Sequence, residues 1–213
     1  MEQQSLKGFD RLAPVYDRFA HLVYGSAIRE AQLFFLKAIP PTANVLILGG
    51  GTGWLLADLF EIHPECKVCY IEASSKMLAQ AQQQLSPGKK DQVQFILGTE
   101  DSIPVTVPFD AVITAFYLDL FSPDTLRRII DKINAVLTPV SVWLVADFIP
   151  PKVWWQKVLL KIMYIFFRRF CGIEARHLPP WEQAMVAGKW RAEGEKLFFH
   201  GFIKSVRYSL SRE

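Results

Sequence analysis

A chain of 213 residues, 51% hydrophobic and 21% charged, is about one domain long and holds enough apolar residues for one substantial core, which excludes a disordered chain. The net charge of +3 describes a solvated mixed surface and not the clustered basic face of a nucleic-acid binder, so no nucleic-acid partner is expected. Three cysteines, an odd number, argue for a reducing compartment and against a disulfide framework.

The first residues are polar and charged with no signal-peptide core, and no uncharged stretch reaches the ~20 residues that cross a bilayer, so a cytoplasmic protein is expected. Residues 6–38 read as two helices laid over the ligand edge of a sheet. From 44 to 148 strand-like and helix-like runs alternate, the pattern of a parallel sheet covered on both faces. Strands are predicted near 44–49, 67–72, 92–97, 109–115 and 140–148, and helices near 53–62, 74–86 and 123–137. Ser74 is placed to cap the second helix, and Ser122-Pro123 opens the third.

The run Asn44-Val-Leu-Ile-Leu-Gly-Gly-Gly-Thr-Gly53 carries the most information. An apolar strand ends in Gly49, Gly50, Gly51, Thr52 and Gly53, and a helix-forming run starts at Trp54. Glycine lets the backbone turn and approach a ligand, to which the helix presents free N–H groups and its positive dipole end. The next strand, Lys67–Ile71, ends in Glu72 and Ala73. A carboxylate there can accept both hydroxyls of a ribose, the second half of a nucleoside-binding fingerprint. The loop reads G-x-G-x-G. Trp54 stands where a dinucleotide loop has its third glycine, and no phosphate-gripping Lys-Ser/Thr follows, which argues against a nicotinamide-dependent oxidoreductase and against a P-loop.

After the fifth strand, Pro150-Pro151 breaks the chain. Residues 152–170 then read as a long helix with a broad apolar, aromatic face and a narrow basic stripe through Lys157 and Lys161. Pro179-Pro180-Trp181 starts a further helix ending near Gly188. Trp190–Phe199 and Phe202–Leu210, separated by Gly201, read as a closing β-hairpin. Cys66-x-x-Cys69 has no second pair or histidine cluster beside it, so it reads as structural and no metal is expected.

The glycine loop and Glu72 together resemble the class I S-adenosylmethionine-dependent methyltransferases. The opening Gly8-Phe-Asp-Arg-Leu-Ala-Pro-Val-Tyr-Asp17 resembles the F-D-x-x-A-x-x-Y-D start of their ubiquinone/menaquinone-biosynthesis group. Phe95–Pro104 and Phe109-Asp-Ala-Val-Ile-Thr-Ala115 resemble further segments of that group, and Leu137-Thr-Pro139 resembles its turn leading into the fifth strand. The resemblance covers roughly residues 8–150. It implies a Rossmann-like, doubly wound α/β sheet of seven strands, mostly parallel with an antiparallel final strand, with N-terminal helices and a helical insertion after strand 5. One domain is expected over 1–213, divided into a helical cover (1–40), a cofactor-binding core (41–150), the insertion (151–188) and the hairpin (189–213).

The resemblance also implies S-adenosyl-L-methionine as cofactor and a methyl transfer to a small, hydrophobic acceptor. A protein that binds the cofactor for sensing or scaffolding is the alternative. Thr99, Glu100 and Asp101 are implied to meet the adenine, with Thr99 where the group has Asp. Ala115, Phe116 and Tyr117 are implied to line the methionine side, and Tyr16 to fold over it. The group's strand 1 carries an acid two residues before the loop; here it is Ile47. A proton acceptor, where the acceptor needs one, is to be sought among Asp147, His177, Asp119 and His21. For the 152–170 helix the readings are a lid over the acceptor, an anionic membrane surface contact, or a homodimer contact.

Overall fold

The computed structural model describes residue 10 and residues 21–211. Seven strands form one sheet: β1 (Asn44–Leu48), β2 (Lys67–Glu72), β3 (Val93–Leu97), β4 (Phe109–Ala115), β5 (Leu137–Phe148), β6 (Trp190–Phe198) and β7 (Ile203–Leu210), in the order β3-β2-β1-β4-β5-β7-β6. The pairs among β1 to β5 are parallel, and β7 runs antiparallel to both β5 and β6. Strand order reverses between β1 and β4, so the carboxyl ends of β1, β2 and β4 open on one crevice.

The strands β1 and β4 read as continuous apolar runs because both faces of the sheet are covered. On one face Val45 and Ile47 pack with Leu55, Leu56 and Leu59 of α2 (Trp54–Ile62) and with Leu78 and Ala81 of α3 (Ser75–Gln84). On the other, Leu46 and Leu48 pack with Leu126, Ile129, Ile130 and Ile133 of α4 (Pro123–Asn134). Trp143, Trp181 and Trp190 are fully buried on that side. Each indole N–H finds an acceptor, respectively Thr114 Oγ1 (2.9 Å), the Phe148 carbonyl (2.7 Å) and Asn134 Oδ1 (2.9 Å), so these large rings are buried with no unpaired donor.

Local signals set the helix starts. Ser74 Oγ accepts from Met77 N (3.2 Å) and Ser122 Oγ from Thr125 N (3.3 Å), with Pro123 at the first helical position. A helix α1 spans Ala27–Leu33, and α5 (Trp154–Cys171) and α6 (Trp181–Ala187) connect β5 to β6. Gln156 Oε1 accepts from Lys152 N (2.8 Å) at the start of α5. Its amide donates to the His200 carbonyl (3.1 Å), which fastens α5 to the closing hairpin.

Two expectations need correction. The segment Leu137-Thr-Pro139 is not a turn before the strand but its first residues: Leu137 pairs with Phe109, and a bulge between Phe109 and Ala111 then takes up the slack. The preceding helix accordingly stops at Asn134 and not 137. The hairpin turn is also longer than Gly201 alone, since Phe199, His200 and Gly201 all adopt positive φ.

Cys66 and Cys69 face opposite sides of the sheet and are free. Burial pushes both thiols up to about 11, which makes them inert packing groups at neutral pH. Among the described residues no cluster of three or more His, Cys, Asp or Glu is placed to hold a metal. No helix among them is long and apolar enough to cross a membrane.

Candidate functional site

A cavity of about 390 Å³ opens at the carboxyl ends of β1, β2 and β4, within the ~300–1,000 Å³ typical of small-molecule sites. Gly49, Gly50, Gly51 and Thr52 form its floor, Glu72 and Ala73 one side, Thr99 another, and Ala115, Phe116 and Tyr117 a third. His21 also lines it.

Glu72 organises the floor. Its Oε2 accepts from Gly51 N (2.9 Å) and its Oε1 from Ser74 N (2.8 Å), so one carboxylate ties the loop after β1 to the start of α3. Burial pushes the carboxyl above its ordinary range, and these N–H donors oppose that rise. Asp10, from the opening motif, joins the same corner: Oδ1 accepts from Ser74 Oγ (2.7 Å) and Lys76 N (3.1 Å). Burial pushes its carboxyl up, but the hydrogen bonds from Ser74, Lys76 and Ser75 outweigh this and carry it below the usual range.

The loop's glycines are fixed by different neighbours. Gly51 has φ +67, and a Cβ there would meet no atom within 4 Å. Gly53 has φ +89, and a Cβ would stand 2.5 Å from Ala81 Cβ and 2.6 Å from its Cα, so Gly53 serves the close approach of α2 to α3. Gly51→Ala should therefore cost about 1 kcal/mol of backbone strain while crowding any ligand, and Gly53→Ala about 3 kcal/mol of strain plus overpacking. Thermal melts of the two variants measure this. Equal melting temperatures would contradict the assignment.

Phe116 has φ +52, a conformation that costs a bulky residue on the order of 1 kcal/mol or more. Its N–H donates to the Ala146 carbonyl (2.7 Å) and its ring packs on Phe148 (5.2 Å between centroids), which holds the strained turn at the cavity edge. Tyr117 lies beneath Gly49, whose added Cβ would come 2.5 Å from the Tyr117 ring. Its hydroxyl donates to Glu100 Oε2 (3.2 Å).

That bond turns Glu100 away from the cavity, and Asp101 is paired with Lys132 on the surface. Of the 99–101 segment, only Thr99 reaches the lining. Gly53 is not on the lining. Tyr16 lies outside the described residues. His177 is exposed and away from the cavity.

Asp119 and Asp147 are also off the lining and form a buried pair. Asp147 Oδ2 accepts from Leu118 N (3.0 Å) and Asp119 N (3.2 Å), and Oδ1 from Phe148 N (2.8 Å). The Asp119 carboxyl hydrogen-bonds to that of Asp147. Among the described residues its Oδ1 has no partner. Burial pushes Asp119 up to about 7, with the bond to Asp147 opposing the rise. Burial, then the neighbouring Asp119 charge, carries Asp147 well above the carboxylate range. Two carboxyls that hydrogen-bond to each other in a dry site titrate as a pair and hold a proton between them.

Sequence reasoning missed the wall given by α1 and its approach: Gly25, Ile28, Arg29 and Gln32. Gln32 Oε1 is buried without a hydrogen-bond partner among the described residues. The guanidinium of Arg29 sits 5.3 Å from the Trp54 ring and pairs with Asp58 (3.1 Å). No motif marks these residues; the amphipathic spacing of Ile28 and Gln32 was the available signal.

A family profile described as a methyltransferase domain matches residues 45–140. The demethylmenaquinone methyltransferase of Thermotoga maritima is 27% identical over 154 residues, covering 70% of this chain and 64% of the relative. Among solved structures, the mitomycin 7-O-methyltransferase MmcR shares the fold with a TM-score of 0.69 at 19% identity, over 95% of this chain and 60% of that one. The 1,6-didemethyltoxoflavin-N1-methyltransferase of Burkholderia thailandensis, solved with 1,6-didemethyltoxoflavin and S-adenosylhomocysteine, does so with a TM-score of 0.70 at 14% identity, over 98% and 88%. The chain thus spans 64% and 60% of the lengths of the first two. The matched segment includes the strand–loop–strand unit that builds the cavity floor, so over residues 45–140 the chain is similar to a methyltransferase domain, and its fold is that of the solved methyltransferases.

Proposed function

We propose that this protein is an S-adenosylmethionine-dependent methyltransferase acting on a small, hydrophobic acceptor. The observation that carries the reading is the Glu72 carboxylate at the cavity side, held by Gly51 N and Ser74 N beside a glycine floor. Each carboxylate oxygen keeps acceptor capacity for one ribose hydroxyl. The cavity fits the group in two further ways. A Cβ at Gly51 would meet only open space, so the backbone there is approachable. Gln32 Oε1, a buried acceptor on the wall with no partner among the described residues, suits a ligand ammonium, for which Ile47, buried in the apolar core, offers nothing.

When bound, the cofactor supplies a methyl group on a sulfonium. The chain's own residues then have three tasks. Glu72 would hold the ribose and Thr99 would border the adenine side. Gly49 to Thr52 bring backbone against the methionine part. Phe116, on the lining, would offer an aromatic ring to the positive sulfur, worth on the order of 1–2 kcal/mol when desolvated. Ile28, Phe116, Leu120 and Phe121 on the lining favour an apolar acceptor and exclude water, and an in-line displacement needs little beyond such positioning. Of the four titratable candidates, His21 is the one on the lining, so it is the group we assign to take up a proton from an acceptor that must lose one.

Isothermal calorimetry should give saturable, micromolar-range binding of S-adenosylmethionine. No heat at millimolar ligand would sink the reading. Binding without S-adenosylhomocysteine formation across a panel of apolar phenols, amines and carbon acids would instead support a cofactor-binding protein without transfer.

A further inference from the structure

The helix α5 is apolar on two opposite sides. Leu159, Leu160, Met163 and Phe167 pack inward against the fold. Trp154, Val158, Ile162 and Ile165 follow the i, i+4, i+8, i+11 spacing of a single face and point to solvent, with Trp154 76%, Ile162 59% and Ile165 60% exposed. A soluble helix normally turns charge outward at such positions. Here the charge is displaced to one flank. Lys157, Lys161 and Arg168 fall beside the apolar stripe on the helical wheel, and Arg169 lies within it. Residues 152–171 hold five basic residues (Lys152, Lys157, Lys161, Arg168 and Arg169) and no acidic one.

We propose that this outward face of α5 docks the protein on an anionic phospholipid surface, with the helix lying in the interface plane. An apolar stripe flanked by basic side chains is the chemistry that such a surface recognises. The helix is not apolar enough to span a bilayer, so it lies on the surface. Trp154 at its amino end is an interfacial anchor, with its ring in the headgroup region. The charge complementarity decides against a second copy of the chain as occupant, since pairing this face with itself would oppose like charges. Tyr24 donates to Met163 Sδ (3.5 Å) on the inner side of α5. It lies between the cavity-lining residues His21 and Ile28, so docking would bring the helical wall of the cavity to the lipid.

The test is flotation with vesicles of neutral phosphatidylcholine, alone or with about a third phosphatidylglycerol. The protein should float with the anionic vesicles and stay behind with the neutral ones, and high salt should release it. Lys157→Glu/Lys161→Glu/Arg168→Glu should weaken partitioning by about 100-fold or more, at about fivefold for each basic residue removed. These exposed substitutions should leave the melting temperature unchanged. Separately, Trp154 fluorescence should be quenched by bromolipid in the anionic vesicles and spared in Trp154→Phe. Equal flotation with both vesicle types, no flotation, or a lipid-free dimer that Ile162→Glu dissolves would each overturn the proposal. Flotation needs neither cofactor nor acceptor, so its outcome is independent of the calorimetry that tests the methyltransferase reading.

Discussion

Replacing Glu72 by glutamine should weaken S-adenosylmethionine binding by about 100-fold or more while lowering the stability of the unliganded protein by much less, about 1 kcal/mol. The two effects separate because the carboxylate is disfavoured by its surroundings and retained for its ligand. Burial raises its pKa, so the fold gains nothing from the charge itself. Glutamine keeps one carbonyl oxygen for the Gly51 or Ser74 amide but puts an NH2 group where the second acceptor stood. The charge-assisted hydrogen bonds to the ribose, worth about 1.5–3 kcal/mol each, are lost or weakened, and each 1.4 kcal/mol is a factor of ten. Calorimetry and thermal melting of the same variant give both numbers. Affinity within about threefold of wild type, or a loss of stability parallel to the loss of binding, would show that Glu72 only staples the loop. The pH dependence has a definite sign. The ribose hydroxyls need the ionised form as acceptor, so affinity falls as pH is lowered through the raised pKa.

Glu72 and the glycine loop were legible in the sequence because their constraint is local. A positive φ at Gly51 and Gly53, and a carboxylate at a strand end, are written in consecutive residues. Glu100 and Asp101 show the opposite case. Nothing within that segment reveals that Tyr117 holds the first and Lys132 the second, since these partners come from elsewhere in the sheet and from α4. The same reason hid the α1 wall. Gln32 becomes a site residue only when the helix docks over the sheet, where Ser205 Oγ donates to the Ala31 carbonyl next to it. Leu137-Thr-Pro139 was misplaced for a different cause: proline and threonine carry turn propensity, but the pairing of Leu137 with Phe109 outweighs it.

Thermal stability of the wild-type protein should fall as pH rises from about 5 to about 8, and Asp119→Asn should flatten that slope. The cause is the carboxyl pair behind the Leu118–Leu120 turn. Unfolded, both aspartates titrate near their ordinary value of about 3.9. Folded, burial raises Asp119 to about 7 and Asp147 well above its usual range. Between these limits the native state binds more protons than the unfolded chain, so stability decreases with rising pH. Asp147 must stay an acceptor, because three backbone N–H groups depend on it. Asp119 has no such duty, and its Oδ1 is unpartnered among the described residues. An asparagine at 119 can donate its amide to Asp147 and removes the second charge. Asp119→Asn should then exceed wild type at pH 8 by on the order of 2 kcal/mol, a rise of roughly 4–8 °C for a chain of this size, and match it near pH 5. Asp147→Asn should do the reverse. An amide placed there turns a donor toward N–H groups that need an acceptor, and stability should fall at both pH values. Circular-dichroism melts of the three proteins at the two pH values decide the matter. Parallel pH curves for wild type and Asp119→Asn would mean that the pair does not share a proton and that the turn before α4 is held by its backbone alone.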